Sequence, residues 1–321
     1  MDATKLAPPV GRLAPSPTGR LHLGHARSFL LAWWSIRSRR GTIHLRMEDL
    51  DGPRVQPEMV EQALRDLEWL GLDWDGEVLV QSSGLARMHA AVDRLVDAGH
   101  AYACVCSRAD VRAAQSAPQQ GQTEQRYPGT CRDRFASVAN AEAQAGKEAG
   151  LRFRVADGPV EVQDAVAGRR SFDVAAEVGD FHIARRDKSP AYQLSVVVDD
   201  GYQGVTEVLR GDDLLPSAAR QQLLQEALGL STPTWVHVPL VLDADGRRLA
   251  KRADDLSMAE LRAGGTDPRA IVSWAARSAG FDVPPRAEAS DVVRAYALER
   301  LPREPLRLSR ATIESLREAR A

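Results

Sequence analysis

The segment Pro15-Ser16-Pro17-Thr18-Gly19-Arg20-Leu21-His22-Leu23-Gly24-His25 constrains this chain more than any other. It lies between a strand end at Arg12 to Pro15 and a helix predicted from Leu21 to Arg37, whose apolar positions Leu23, Ala26, Leu30 and Trp34 share one face. A second strand from Thr42 to Met47 completes a β-α-β unit. A helix N-terminus reached through such a turn presents N–H groups and a positive dipole end to an anion. His22 and His25, about one turn apart, add ring donors, and Gly24 lets a nucleotide approach the backbone closely. A histidine taken singly is most often a cap or a surface group. Behind the Pro-Ser-Pro-Thr-Gly turn, the His-x-Gly-His pair reads as a phosphate site.

At 321 residues the chain has room for about two domains of ordinary size. With 44% hydrophobic and 27% charged residues it is neither disordered nor fibrous. The 42 basic and 44 acidic side chains leave a net charge of −2, so no global positive field draws nucleic acid, and an RNA partner has to be held by a local patch. Arg37, Arg39, Arg40, Arg303 and Arg307 are candidates for such a patch, although charge runs are commonly solvated faces. The longest strongly apolar stretches, such as Phe29 to Trp34, fall far short of the roughly 20 residues that cross a bilayer. The start, Met1-Asp2-Ala3-Thr4-Lys5, lacks a secretory signal pattern, so a cytoplasmic protein with no membrane partner is expected, and a monomer.

Helices are predicted over Pro57 to Leu70 and Met88 to Ala98. Residues 107 to 126 and 139 to 150 are poor in large apolar side chains, and alternation from Leu151 to Ile183 suits a small antiparallel sheet inserted in the chain. Parallel strands are predicted at Leu194 to Val198 and Trp235 to Leu242, with a helix from about Ser217 to Leu228 between them. The remainder is helical in pattern, with Ile271, Trp274, Ala275 and Ala279 on one face. Three cysteines, Cys104, Cys106 and Cys131, suggest metal ligation in a reducing compartment. A structural zinc site wants four ligands, and on general chemistry His100 is the natural fourth.

Several of these segments together resemble a known family. Arg12-Leu13-Ala14-Pro15-Ser16-Pro17-Thr18-Gly19 with His22-Leu23-Gly24-His25 resembles the HIGH motif of class I aminoacyl-tRNA synthetases of the glutamyl branch. Leu45-Arg46-Met47-Glu48-Asp49-Leu50-Asp51 is similar to that branch's acidic strand end. Pro190-Ala191-Tyr192-Gln193-Leu194, Asp199-Asp200 and Leu209-Arg210-Gly211-Asp212-Asp213-Leu214-Leu215 are similar to its amino-acid pocket. Arg247-Arg248-Leu249-Ala250-Lys251-Arg252 is similar to a divergent KMSKS loop, with Arg248, Ala250 and Arg252 where the family has a lysine and two serines, a change expected to slow ATP turnover.

The resemblance implies an α/β fold: a Rossmann-like, doubly wound parallel sheet with a zinc-containing α+β insertion and a small C-terminal helical domain. It implies catalytic halves at 7–98 and 188–255, the insertion at 99–187 and a stem-contact-like helical domain at 256–321. It assigns catalysis to His22, His25 and Lys251, ATP to His22, Gly24, His25 and Lys251, and L-glutamate to Arg12, Leu13, Ala14, Pro15, Ser16, Glu48, Tyr192 and Arg210. The chemistry agrees. Arg12 and Arg210 suit two carboxylates, because a guanidinium fork matches a carboxylate in bidentate geometry. Glu48 suits the ammonium, Tyr192 and Ser16 add hydroxyls, and Lys251 can follow charge developing on ATP phosphate. The spacing Cys-x-Cys then Tyr-x-x-x-Cys is similar to the zinc-binding insertion of that family, which implies Tyr127 as the fourth ligand with Cys104, Cys106 and Cys131.

Seventy residues follow Lys251, room for a small helical domain but not for the large anticodon-reading region of a full glutamyl-tRNA synthetase. With the zinc pattern, the chain resembles the glutamyl-queuosine tRNA(Asp) synthetases. That resemblance implies tRNA-independent activation of L-glutamate by ATP, with Mg²⁺, to glutamyl-adenylate. Transfer to the cyclopentenediol of queuosine at the first anticodon position of tRNA(Asp) follows. Other readings are a truncated enzyme charging the 3′ end of tRNA(Glu) or tRNA(Gln), a non-catalytic nucleotide- or RNA-binding paralogue, and a small-molecule adenylate-forming ligase.

Overall fold

The computed structural model describes residues 7–114, 126–247, 249 and 257–320. Strand β1 (Val10–Leu13) runs through the turn into α1 (Leu23–Arg37), and β2 (Thr42–Met47) returns parallel to β1 with His44 opposite Arg12. Leu23, Ala26, Leu30 and Trp34 are all buried, as their spacing predicts. Helix α2 (Pro57–Trp69) opens on a proline, which suits the first helical position. The short β3 (Leu79–Val80) joins β2 in parallel, and α3 (Leu85–Asp97) follows.

From there β4 (Ala101–Cys104) leads through α4 (Arg108–Ala113) and α5 (Val138–Ala145) to β5 (Gly150–Phe153). A hairpin of β6 (Val160–Asp164) and β7 (Gly168–Phe172), the single turn α6 (Val174–Glu177) and β8 (His182–Ala184) come next. Strands β4, β5 and β8 form a small antiparallel sheet.

Helix α7 (Tyr192–Tyr202) stands where a strand was predicted at Leu194 to Val198. That run of β-branched residues has the composition of a buried strand. Every residue from Gln193 to Asp200 is buried, so no polar face reveals the helical period. Then come β9 (Glu207–Gly211), α8 (Leu215–Leu228), β10 (Thr234–Val238) and β11 (Val241–Leu242). Pro239 lies in the gap that divides the strand expected unbroken from Trp235 to Leu242. β9 and β10 are parallel, and the β6–β7 hairpin joins them through Asp164 beside Trp235. The Thr206 N–H donates to the Val10 carbonyl at 2.8 Å, which sets β9 beside β1. The strands therefore run β3-β2-β1-β9-β10-β6-β7.

Helices cover both faces. Leu209 and Val236 pack in the cluster that holds Leu30 and Trp34 of α1. Val208 and Trp235, one residue along and so on the opposite face, pack with Leu194, Val197 and Leu224 of α7 and α8. The C-terminal elements are α9 (Met258–Ala263), α10 (Pro268–Ser278), α11 (Ala289–Val292), β12 (Leu306–Arg307) and α12 (Arg310–Glu318). Ile271, Ala275 and Ala279 are buried as predicted, and they share the cluster of α1. Among the described residues no helix is long and apolar enough to cross a membrane. Strand order reverses between β1 and β9, and a crevice at the carboxyl ends of two such strands is the ordinary ligand site of an open parallel sheet.

Candidate active site

Helix α1 begins at His22, whose ring accepts a hydrogen bond from the Gly24 N–H at 3.1 Å. The His25 ring accepts from the His22 N–H at 3.2 Å, and the two rings stack with centroids 3.7 Å apart. The pair thus caps the helix start reciprocally. A Cβ at Gly24 would stand 3.0 Å from the His22 ring, so glycine permits His22 to fold back over the helix. The Leu21 carbonyl accepts from the Met258 N–H at 2.8 Å and His22 pairs with Ser257, which ties the start of α9 to this turn. Lys251, with Arg248, Ala250 and Arg252, lies outside the described residues.

A cavity of about 480 Å³ brings together Arg12, Ala14, Ser16, His22, Gly24, His25, Glu48, Tyr192 and Arg210, with Val241 and Leu249 at its wall. Leu13 is turned into the core, and Pro15 lines an adjoining cavity while its carbonyl accepts the Glu48 N–H at 3.0 Å. Arg12 comes off β1 and Arg210 off β9, on the two sides of the switch point. Arg12 Nη1 donates to the Leu209 carbonyl at 3.2 Å, and its buried Nε, 3.6 Å from Asp200, has no hydrogen-bond partner. Arg46, wholly buried, pairs with Glu48 at 3.1 Å and Asp200 at 2.8 Å. Burial disfavours the Arg46 cation, but Asp200 and Glu48 more than offset it and raise its pKa. Burial likewise pushes the Glu48 carboxyl above its usual range despite Arg46 and Arg12, an environment that an incoming ammonium would relieve.

Arg210 Nε bonds His237 Nε2 at 3.0 Å, and His237 Nδ1 lies 2.6 Å from Asp164. The Trp235 ring centroid is 5.2 Å from the guanidinium. Sequence reasoning missed both His237 and Asp164. The available signal is a histidine between Val236 and Val238, a polar residue within an apolar strand.

The three cysteines converge: the Sγ atoms of Cys104, Cys106 and Cys131 all lie within 4.8 Å of one another. The Tyr127 hydroxyl stands 3.4 Å from Cys104 Sγ and 3.8 Å from Cys106 Sγ. Ligands on a tetrahedron with bonds of roughly 2.3 Å stand about 3.8 Å apart, so three sulfurs and this oxygen fit one ion. Burial pushes the Cys106 thiol up to about 12, so near neutral pH only a bound metal ion would draw off its proton. Arg152 supports the group, its Nε donating to Cys104 Sγ at 3.3 Å and its guanidinium 3.7 Å over the Tyr127 ring. His100 is exposed, stacked on Phe153 with centroids 6.2 Å apart, and is not a member of the cluster.

Residues 10–300 match the family model described as tRNA synthetases class I (E and Q), catalytic domain. The glutamyl-Q tRNA(Asp) synthetase of Rhodopirellula baltica is 46% identical over 284 residues, 85% of each chain. The protein of the same name from Symbiobacterium thermophilum is 44% identical over 317 residues, 95% of this chain and 98% of that one. A crystal structure of a glutamate tRNA ligase from Elizabethkingia meningosepticum shares the fold, with a TM-score of 0.81 at 22% identity over 96% of this chain and 68% of that one. The chain belongs to the class I tRNA synthetase (E and Q) family of ligases, in which the relatives 46% and 44% identical to it carry the name glutamyl-Q tRNA(Asp) synthetase.

Proposed function

We propose that this chain activates L-glutamate with ATP in the absence of tRNA and transfers the glutamyl group to the cyclopentenediol of queuosine at the first anticodon position of tRNA(Asp). The observation that carries the first half is one cavity lined at once by Arg12, Arg210 and Glu48 and by the paired histidines at a helix start. The relatives' names support the acceptor.

Arg12 and Arg210 take the substrate carboxylates, Glu48 the ammonium, and Tyr192 and Ser16 offer hydroxyls; Leu13, Ala14 and Pro15 contribute backbone. An oxygen of the α-carboxylate attacks the α-phosphorus of ATP, and the bond to pyrophosphate breaks. His22, His25 and the N-terminus of α1 at Gly24 steady the phosphate charge, a role in which we include Lys251, and Mg²⁺ arriving with ATP screens the pyrophosphate. A diol hydroxyl then attacks the glutamyl carbonyl, the bond to the phosphate oxygen breaks, and AMP leaves with the proton on its phosphate.

A further cavity, about 660 Å³, adjoins Tyr192 and is lined by Arg108, Arg152, His182 and Arg220, with no carboxylate among the described residues, a setting for the acceptor RNA in a chain of net charge −2. We read Cys104, Cys106, Tyr127 and Cys131 as ligands of one structural zinc ion, which would tie β4 to the segment ahead of α5; we divide the chain into catalytic halves 7–98 and 188–255, an insertion 99–187 whose β6–β7 hairpin joins the catalytic sheet, and a helical region 256–321. Glutamate-dependent exchange of pyrophosphate into ATP, measured without tRNA, tests the activation step. Exchange at full rate is expected, and exchange that requires added tRNA would overturn the reading.

A further inference from the structure

We infer that His237 and Asp164 are positioning residues that fix the plane of the Arg210 guanidinium, and through it the choice of glutamate over glutamine. The inference rests on the assignment of Arg210 to a substrate carboxylate made above.

Arg210 Nε can only donate, so His237 Nε2, 3.0 Å away, accepts and carries no proton. The ring proton is therefore on Nδ1, which donates to Asp164 Oδ2 at 2.6 Å. Asp164 is itself held. Its Oδ1 accepts from the Val166 and Ala167 N–H groups at 2.9 and 2.7 Å, and its Oδ2 from the His237 N–H at 3.0 Å. Both side chains are fully buried, away from competing water. A fixed carboxylate thus selects one tautomer, and that tautomer anchors one edge of Arg210. Arg210 Nη2 donates to the Leu214 carbonyl at 3.3 Å, which leaves the Nη1 side for the cavity that Arg210 lines.

A guanidinium held in one plane demands acceptors at set positions. A carboxylate supplies two oxygens, whereas a carboxamide turns one of them into a donor. Releasing the Nε edge lets the guanidinium swivel to meet a single amide oxygen, so loosening it weakens glutamate binding and relaxes discrimination. With Arg210 read as the partner of the side-chain carboxylate, the reacting α-carboxylate and the phosphate site are left untouched. Asp164 belongs to the β6–β7 hairpin, so a segment outside the strands that carry the two arginines shapes the amino-acid site.

Three isosteric or near-isosteric variants separate this role from mere packing. His237→Gln keeps an oxygen near the Nε2 position to accept from Arg210. His237→Asn keeps a donor toward Asp164 but leaves Arg210 Nε unpaired. Asp164→Asn replaces one acceptor oxygen by a donor that must face either the Val166 and Ala167 N–H groups or His237 N–H and Nδ1, so the hold on the Nδ1–H tautomer is weakened. In tRNA-free exchange, His237→Asn and Asp164→Asn are expected to raise KM for glutamate about tenfold or more and to raise the glutamine-to-glutamate ratio of kcat/KM. Their kcat and KM for ATP stay within about threefold of wild type, and His237→Gln stays within about threefold throughout. Equal KM values in all four proteins, or a kcat loss shared by all three variants without a change in KM, overturns the positioning role. Absence of glutamate-dependent exchange in the wild type would instead defeat the proposed activity.

Discussion

Arg12, Arg46 and Arg210 stand against Glu48 and Asp200 in a buried cluster, so the charges that greet the substrate are set before it arrives. Removing one of them leaves a charge unpaired. Arg210→Ala is expected to lower kcat/KM for glutamate in pyrophosphate exchange about 10²–10³-fold, chiefly through KM, and Arg210→Lys to recover only part of that, because an ammonium offers no planar fork. Burial holds His237 below the ordinary histidine range against the pull of Asp164, while Arg210 and Arg12 also oppose its protonation. The neutral ring therefore persists, and KM for glutamate is expected to stay flat as pH falls from about 8 past the free-imidazole value of about 6.5. A rise centred near 6.5 would show the ring titrating as if exposed. At Gly24 an added methyl meets the His22 ring, so Gly24→Ala is expected to raise KM for ATP several-fold with KM for glutamate unchanged, read in the same exchange assay. Most cavity residues were legible in the sequence because they carry charge at strand ends or sit in a marked turn. Asp164 and His237 were not, since their meaning lies in a pairing across 73 positions of chain.

Among the elements, α1, β2 and α8 follow from the spacing of apolar residues, whereas α7 reads as a strand because its polar residues Asp199 and Asp200 are buried in ion pairs rather than exposed. The β6–β7 hairpin reads as part of the insertion, and only its register beside β10 shows that it extends the catalytic sheet. Helices α2 and α9 meet at Asp66, which accepts from Gln62 at 2.8 Å and lies 3.3 Å from Arg262, with Oδ2 unsatisfied. Burial outweighs Arg262 and raises the Asp66 carboxyl to about 6. An unfolded aspartate releases its proton near 3.9, so the cost of the buried anion is absent below about pH 4, grows through pH 4–6 and is complete above. The stability advantage of Asp66→Asn over wild type in denaturant unfolding is thus expected to fall by about 2–3 kcal/mol between pH 7 and pH 4. A difference that does not change with pH would contradict the assignment. For the cysteine cluster, chelation is expected to release close to one zinc ion per chain and to abolish hydrogen-exchange protection in β4. Glutamate-dependent exchange should survive, because the cluster lies outside the cavity that holds Arg12 and Arg210.

Across the whole molecule, the reversal of strand order beside β1 places Arg12, Arg210 and the helix start at one mouth, and the C-terminal helices close the same core that α1 begins. Arg27 shows the coupling: buried in α1, it donates to the Pro239 carbonyl at 3.0 Å and to Ser278 of α10 at 2.9 Å. That long-range assembly was legible as a fold class from the β-α-β pattern, but the order of strands was not, because spacing along a chain does not say which strand lies beside which. The arginine-lined cavity near Tyr192, proposed above as the setting for RNA, would supply the local patch that the near-neutral net charge calls for. The most direct test of the account is to supply labelled glutamate, ATP and Mg²⁺ with purified tRNA(Asp), with and without queuosine, and with tRNA(Glu), then to locate the label by nuclease digestion. The account predicts label on the anticodon fragment of queuosine-containing tRNA(Asp) alone, whereas label at the 3′ end of tRNA(Glu) would contradict it.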